Sequence, residues 1–299
     1  MKIERKLQEI SGSLLITVPK EWANSFHLKK GSKTEINIAK NGTLIISPKP
    51  IKELGKEQIS FQYDENFIRN FFLYYFQGYE KIVVEFAEKT PKDQEKIYSI
   101  LKKFMNVQII EENKNKISFK CFKIDELSIL ECLNRMYFLS HNMFEELLNK
   151  NNKPVLEEIE ISLTKFYYML VMQVRRFIDE GKFTEQNQIS LLYALDCRMV
   201  AEKIKRMGEV IQTMKAIKNK NIQKSLEDIL AFYKNCFWGF YNRNYDTSLN
   251  LFKDFKIISE SLTKLETNFG KEKKIEELQQ IYSLKQFLDH GKSIMMLTR

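Results

Sequence analysis

The spacing of apolar residues along the chain changes character twice, and the changes mark three regions. Residues 1–50 contain short apolar runs separated by turn residues, a pattern that favours strands. Residues 55–123 alternate between strand-like and helical patterns, and from 125 to 299 the period is helical throughout. The pattern predicts a multidomain α+β protein with domains at 1–50, 55–123 and 125–299.

The first region predicts a small β structure that is incomplete in a single copy. Its predicted elements, in chain order, are a strand over 3–8, the turn Ser11-Gly12-Ser13, an apolar run over 14–18, a short helix from Pro19 through Phe26 that stops near Gly31, a strand over 33–39, the turn Asn41-Gly42 and a strand over 44–46. Such short elements cannot bury a core alone. We therefore expect two copies to interleave into one β-barrel, as an obligate dimer.

The second region predicts a small α/β sandwich that begins after the proline-rich boundary at 48–50. Asp64 is a candidate cap for a helix that ends at Gly78. Thr90-Pro91 then supplies an N-cap and a proline at the first helical position. The predicted strands are 59–63, 81–86, 107–111 and 117–122, with a turn at 113–116 between the last two.

The third region predicts six long amphipathic helices joined by short polar or glycine-containing turns. Their predicted bounds are 126–149, 154–180, 185–217, 221–243, 246–268 and 272–297. The third carries an apolar stripe of Ile189, Leu192, Tyr193, Val200, Ile204, Met207, Ile211 and Met214. Residues 201–209 and 281–291 resemble each other, which indicates two tandem three-helix units in a six-helix bundle.

Composition excludes several classes of protein. With 43% hydrophobic and 29% charged residues, the 299-residue chain has an ordinary globular composition, and no apolar run approaches the ~20 residues of a membrane span. The N-terminal sequence is not that of a signal peptide. Its four widely spaced cysteines indicate reduced, mostly buried thiols, so we expect a cytoplasmic protein. No nucleotide-binding, serine-hydrolase or zinc-protease motif occurs, and we expect that the protein is not an enzyme.

Basic charge is concentrated in the first region. Residues 1–50 hold nine Lys or Arg and four Glu, a net of +5 in a chain whose total is +9. Such density is typical of phosphate binding by nucleic-acid-binding proteins. The alternative is a solvated surface in a chain that is rich in lysine throughout.

The order of strand, turn, short helix and Asn-Gly hairpin in residues 1–50 resembles the swapped-hairpin DNA-binding domain of the SpoVT/AbrB/MazE type. The resemblance implies that duplex DNA binds the face formed by the first strand and the turn after it. The matching residues are Arg5, Lys6, Gln8, Ser11, Ser13 and Lys20. Arginine can donate two hydrogen bonds to guanine and glutamine can pair with adenine, whereas lysines mainly neutralise phosphates. The alternative is that Arg5 and Lys6 only protect an edge strand from aggregation.

The whole chain resembles the archaeal form of the PhoU family of phosphate-uptake regulators, in which a SpoVT/AbrB-type domain and a small α/β domain precede the PhoU helices. Arg69-Asn70, the run Tyr75-Phe76-Gln77-Gly78-Tyr79 and the strand at 107–112 carry the resemblance in the middle region. It implies a role in phosphate uptake or phosphate signalling. A phosphate transporter subunit or a signalling protein is then an expected partner.

PhoU helices carry Glu-x-x-x-Asp pairs that bind iron or zinc clusters, since carboxylates at i and i+4 converge on one cation. Here Thr164, Lys205 and Lys285 stand where the resemblance implies ligand carboxylates. We therefore expect no metal cofactor, and ion pairs of Lys205 with Glu209 and of Lys285 with Asp289. If a metal were bound, the remaining candidate ligands are Glu160, Glu209 and Asp289.

Three functions remain open. The first is a DNA-binding transcriptional regulator whose helical half senses or relays phosphate status. The second is a regulatory adaptor of a phosphate transporter or kinase, in which the N-terminal barrel only dimerises. The third is an antitoxin-like repressor, which the long periodic C-terminal region disfavours, because MazE relatives hold a toxin with a disordered tail.

Overall fold

The computed structural model describes residues 4–38, 44–48, 57–124, 127–149, 151–179 and 189–298. The chain divides into two compact units. The first lies in the N-terminal region, and the second combines the predicted α/β region with the predicted helices. Among the described residues, no helix is long and apolar enough to span a membrane.

The N-terminal unit consists of two antiparallel ribbons and one short helix. Its elements are β1 (Gln8–Ile10), β2 (Ser13–Leu15), α1 (Lys20–Ser25), β3 (Thr34–Ile38) and β4 (Leu44–Pro48). Strand β1 pairs with β2, and β3 pairs with β4. The predicted order is confirmed, but the first strand begins later than the predicted residues 3–8. The predicted Asn41-Gly42 turn lies outside the described residues.

The second unit begins with a four-stranded sheet. Its elements are β5 (Gln58–Gln62), α2 (Phe67–Phe76), β6 (Lys81–Glu85), α3 (Pro91–Leu101), β7 (Val107–Glu112) and β8 (Lys116–Cys121). The strand order is β5-β6-β8-β7, with β5 parallel to β6 and the other pairs antiparallel. The predicted α/β elements are therefore all present, at nearly the predicted positions.

Local capping explains where the two helices of this region begin and end. Thr90 is the N-cap of α3 and Pro91 its first residue, as predicted. Thr90 and Asp93 form a reciprocal capping box around this start. Gly78 takes the left-handed conformation (φ 82°) after α2, also as predicted. Asp64 does not cap α2; it accepts a hydrogen bond from the Asn66 N–H at 2.8 Å, and Asn66 itself is the N-cap. The N-cap of α2 therefore lies two residues after the predicted Asp64.

The six predicted helices are confirmed. They are α4 (Ile129–Asn149), α5 (Lys153–Asp179), α6 (Leu191–Thr213), α7 (Lys220–Tyr241), α8 (Tyr245–Lys271) and α9 (Ile275–Met295). Helices α4, α5 and α6 pack against one another, as do α7, α8 and α9, while α6 contacts α9 and α4 contacts α7 across the two groups. In the stripe predicted for α6, Leu192 is an exception, because its side chain is exposed and only the other members are buried.

Aromatic side chains join the sheet region to the helices. Tyr168 of α5 stacks on Phe104 with ring centroids 5.2 Å apart and meets Phe72 and Phe76 edge-on. The Arg175 Nη1 atom donates a hydrogen bond to the Phe76 carbonyl at 3.0 Å. These contacts place residues on both sides of the predicted boundary near 124 in one unit. The division into separate domains at 55–123 and 125–299 stays a prediction.

The four cysteines are free thiols. Cys132, Cys197 and Cys236 are buried and Cys121 is half-buried, which confirms the expectation from their spacing. Burial raises the pKa of the Cys197 thiol to about 12. A thiol with so high a pKa stays protonated and unreactive.

A glycine lets the first three helices approach closely. A Cβ atom at Gly208 of α6 would lie 2.6 Å from Leu163 Cδ2 of α5 and 3.3 Å from Met143 Sδ of α4. Gly291 of α9 has the corresponding role beside Phe232 of α7, whose Cε1 atom would lie 3.0 Å away. Both groups of three helices thus contain a contact that excludes a larger side chain.

We expect Gly208→Ala to lower the free energy of unfolding by about 1–2 kcal/mol, because overpacking exceeds the gain in helix propensity. The matched control is Gly270→Ala in α8, where an added Cβ meets nothing within 4 Å. That variant should be stabilised by up to ~1 kcal/mol. Urea denaturation followed by circular dichroism measures both. Equal stability of the two variants would contradict the close approach at Gly208.

Candidate nucleic-acid interface

The first hairpin is closed by a two-residue turn with a demanding backbone. Ile10 pairs with Ser13, so Ser11 and Gly12 are the two central residues. Both have positive φ, 51° at Ser11 and 78° at Gly12. Positive φ at both positions is the signature of the type I′ turn, whose twist matches that of the two strands. The Ser-Gly sequence therefore fixes where the two strands meet.

The register of this hairpin decides which side chains share a face. Gln8 pairs with Leu15, Glu9 with Leu14 and Ile10 with Ser13. Since side chains alternate along a strand, Gln8, Ile10, Ser13 and Leu15 lie on one face, and Glu9 and Leu14 lie on the other. Two of the predicted DNA-binding side chains are thus brought to the same side of the ribbon.

The other predicted DNA-binding residues lie around the hairpin. Arg5 and Lys6 precede β1 instead of lying within a strand, and Arg5 Nη1 donates to the Glu4 carbonyl at 3.4 Å. Ser11 lies in the turn, and Lys20 is the first residue of α1. All six predicted residues are exposed. No strand therefore fixes the direction in which Arg5 and Lys6 point.

Helix α1 is shorter than predicted. Pro19 is its N-cap (φ −60°, ψ 134°), and Glu21 lies in the first turn, where a carboxylate is favourable. The helix ends at Ser25 because His27 takes the left-handed conformation (φ 52°). Leu28 N–H then bonds the Ala23 carbonyl at 2.8 Å, which closes the end. The predicted stop near Gly31 is wrong by one turn.

The N-terminal unit contains three further exposed basic residues that the predicted set omits. Lys29, Lys30 and Lys33 are exposed in the loop between α1 and β3. Their signal in the sequence is three lysines within five residues, a density typical of backbone contacts to nucleic acid. Lys2, Lys40 and Lys49, which complete the basic count, lie outside the described residues.

Most apolar side chains of the N-terminal unit are exposed in the single chain. Leu14 is 70% exposed, Ile38 is 65% exposed and Ile36 is 58% exposed. The same holds for Leu7, Ile10, Leu15, Ile16, Val18, Phe26 and Leu44. Soluble proteins rarely leave so much apolar surface in one small region.

The residues considered for metal binding are engaged in other ways. Thr164 Oγ1 donates to Glu160 Oε1 at 2.7 Å, and Glu209 accepts from Lys205, as predicted for that ion pair. Burial opposes ionisation of Glu209, but Lys205 and Arg206 outweigh it and lower the pKa of its carboxyl. The predicted Lys285–Asp289 pair is wrong, because Lys285 Nζ lies 2.5 Å from Glu266 Oε2 of α8. Within the described part of the chain, no three His, Cys, Asp or Glu residues converge.

Comparison with known proteins identifies the N-terminal region alone. Residues 8–53 match the family model described as "Antidote-toxin recognition MazE, bacterial antitoxin". The match supports the predicted swapped-hairpin DNA-binding domain at the N-terminus. No curated protein and no solved structure matches the chain. The resemblance of the helices to PhoU stays a prediction.

We expect Gly12→Ala to destabilise the N-terminal unit by about 1–2 kcal/mol, because an L-residue is strained at φ 78°. Nothing lies within 4 Å of the added Cβ, so backbone strain is the whole cost. Ser11→Gly, which relieves strain at the other turn position, should change stability by less than about 0.5 kcal/mol. In a Trp238→Phe background, the fluorescence of Trp22 reports unfolding of this unit. Equal midpoints for both turn variants would exclude the type I′ requirement.

Proposed function

We propose that the protein is a dimeric DNA-binding transcriptional regulator linked to phosphate uptake or phosphate signalling, with the helical half as a sensor or partner-docking module. The observation that carries the DNA-binding part is the coincidence of three features in one small region. Residues 8–53 match the MazE model, and residues 1–50 carry a net charge of +5. The first hairpin, within the same region, has exposed polar side chains.

The chemistry of the exposed residues supports contact with duplex DNA. Lys6, Lys20 and the loop lysines supply positive charge that displaces counterions from phosphates. Gln8 and Ser13 lie on one face of a two-stranded β-ribbon. The major groove of DNA is wide enough to admit such a ribbon. Arg5 adds a guanidinium that can bond both acceptors of a guanine.

The exposed apolar residues of the N-terminal unit support a second copy of this chain as their cover. Ribbons as short as β1–β2 and β3–β4 are at best marginally stable alone. Interleaving two copies would bury apolar side chains of both ribbons and place two basic hairpins in one assembly. Dimerisation is therefore part of the proposed DNA-binding function.

We expect the full chain to be a dimer at micromolar concentration and Ile36→Asp to make it a monomer, because a carboxylate cannot be buried unpaired in the dimer core. Ile257→Asp is the matched control, since Ile257 is a similarly exposed isoleucine (66%) on α8. Sedimentation velocity measures both. A wild-type monomer, or an Ile36→Asp dimer, would contradict the interleaved barrel.

We expect Lys6→Ala and Lys20→Ala to weaken binding to every duplex and to reduce the salt dependence of log K by about one unit per lost phosphate contact. Arg5→Ala should also relax the sequence preference. Fluorescence anisotropy over a salt series measures these effects, with Lys234→Ala, an exposed lysine on α7, as control. Unchanged affinity in a dimeric Arg5→Ala/Lys6→Ala protein would move the DNA contact elsewhere, whereas a wild-type dimer that binds no duplex would favour the adaptor function.

The link to phosphate is supported by the PhoU resemblance of the second unit. Selection of bound fragments from genomic DNA tests this link and DNA binding together. Enrichment of promoters of phosphate-transport genes supports the full proposal. Enrichment of other promoters leaves the regulator without the phosphate link, and an absence of enrichment favours an adaptor.

An antitoxin is the second candidate, because the matching family model is described as an antidote that recognises a toxin. Helices α4 to α9 count against an antitoxin. They pack together and bury their apolar side chains, whereas a tail that wraps a toxin is disordered before it binds. Growth of cells that express the chain with and without its genomic neighbours separates the two candidates.

A further inference from the structure

The four-stranded sheet of the second unit has two edges that differ in how well they are protected against pairing. The strand order β5-β6-β8-β7 leaves β5 and β7 at the edges. In β7 the register moves from Ile109–Phe119 to Glu111–Ser118, so Ile110 is an extra, bulged residue. The strand then ends in two carboxylates. Bulges and charged side chains are common means of preventing an edge from recruiting another strand, so the β7 edge is protected.

Strand β5 lacks this protection. Its sequence, Gln58-Ile59-Ser60-Phe61-Gln62, contains no charged residue and no proline. Within these five described residues, the parallel register with β6 is unbroken. The side chains at 58, 60 and 62 are exposed, while those at 59 and 61 are half-buried against the core of the sheet region. A regular, uncharged edge of this kind can accept a further strand.

The hydrogen bonds to β6 show which backbone groups of β5 remain available. Lys81 N–H donates to the Glu57 carbonyl at 3.0 Å, and Tyr63 N–H donates to the Glu85 carbonyl at 2.8 Å. Because successive residues of a strand direct their N–H and C=O groups to opposite sides, residues 57, 59, 61 and 63 face β6. The backbone groups that point away from β6 belong to Gln58, Ser60 and Gln62. No strand in the described part of the chain covers them.

The sequence of β5 is complementary to itself about Ser60. When a second β5 lies antiparallel with the two Ser60 residues opposite each other, Gln58 is opposite Gln62 and Ile59 is opposite Phe61. The residues with outward backbone groups then oppose one another, so each exchanges two backbone hydrogen bonds with its opposite residue. On the exposed face glutamine meets glutamine, and on the other face a β-branched residue meets an aromatic ring. The pairing brings no like charges together.

We propose that β5 pairs antiparallel with β5 of a second copy of this chain, which joins the two sheets into one continuous sheet. Pairing between two strands as short as β5 is at best marginally stable alone. The inference therefore rests on the dimer proposed above, in which the N-terminal units hold two copies together. That tether raises the effective concentration of one edge for the other, and the strands pair about the two-fold axis of the dimer.

Disulfide formation in a Ser60→Cys variant of the full chain tests the register. In a hydrogen-bonded antiparallel pair the Cα atoms are about 5.5 Å apart, a distance that a disulfide spans. Under mild oxidation we expect Ser60→Cys to form a covalent dimer on a non-reducing gel. Gln58→Cys is the register control, because the two copies of residue 58 would lie about 13 Å apart along the strands. Ser99→Cys, at an exposed serine of α3, controls for random collisions, and neither control should cross-link.

Hydrogen exchange of the β5 amides tests the backbone bonds. The Ser60 N–H points away from β6, so Ser60→Pro removes an outward donor and leaves the bonds to β6 in place. We expect the outward amides of Gln58 and Gln62 to exchange about tenfold faster in this variant than in the wild type. Ser60→Lys, which places two lysines opposite each other and keeps the backbone N–H, should have the same effect. Ser99→Lys is its control, and melting temperatures show that each variant is folded.

The possible outcomes separate this inference from the proposed regulator. A wild-type dimer in which Ser60→Cys cross-links no faster than Gln58→Cys overturns the edge pairing and leaves the N-terminal dimer intact. Protected outward amides without a Ser60→Cys cross-link mean that another segment covers the edge, which overturns the second copy as partner. A cross-link that persists when Ile36→Asp is added supports the edge pairing while contradicting the interleaved barrel. A monomeric wild type without any cross-link contradicts both.

Discussion

The N-terminal unit contains more apolar surface than one copy can bury, and this constraint shapes how the protein can work. Leu14, Ile36 and Ile38 are mainly exposed in the single chain, on ribbons too short to persist alone. A partner that covers them would stabilise these ribbons. If that partner is a second copy, assembly, folding of the hairpins and presentation of the basic residues become one equilibrium, so affinity for DNA depends on protein concentration.

The second unit is stabilised in a different way, by dense packing within one chain. Two glycines, Gly208 and Gly291, allow helices of each three-helix group to approach until side-chain atoms touch backbone. The Tyr233 hydroxyl shares a 2.7 Å hydrogen bond with Ser140 and so satisfies a buried polar group between α4 and α7. The unit therefore offers a rigid frame, in which a cavity bounded by α6, α7 and the turn after α9 keeps its shape.

The sequence predicted what depends on local signals and missed what depends on distant neighbours. Thr90-Pro91 and the apolar periods specified α3 and the six long helices, because caps and amphipathic stripes are local. Periodicity predicts Leu192 in the core with the rest of the α6 stripe and could not show that its side chain is exposed in the described part of the chain. The choice of Glu266 over Asp289 by Lys285 depends on the packing of α8 against α9. Likewise, Asp196 and Arg243 lie 47 residues apart in sequence, and only the fold brings both to one cavity.

The aromatic contact at Tyr168 has a consequence for how such a chain can evolve. Tyr168 of α5 fills the space beside Phe72, Phe76 and Phe104, so the core of the sheet region is completed by a residue of the first helical group. Gene fusion at a point between Phe104 and Tyr168 would separate rings that rely on each other for burial. We therefore expect recombination that exchanges this protein's parts to be tolerated less well between the sheet and the helices than in front of the sheet.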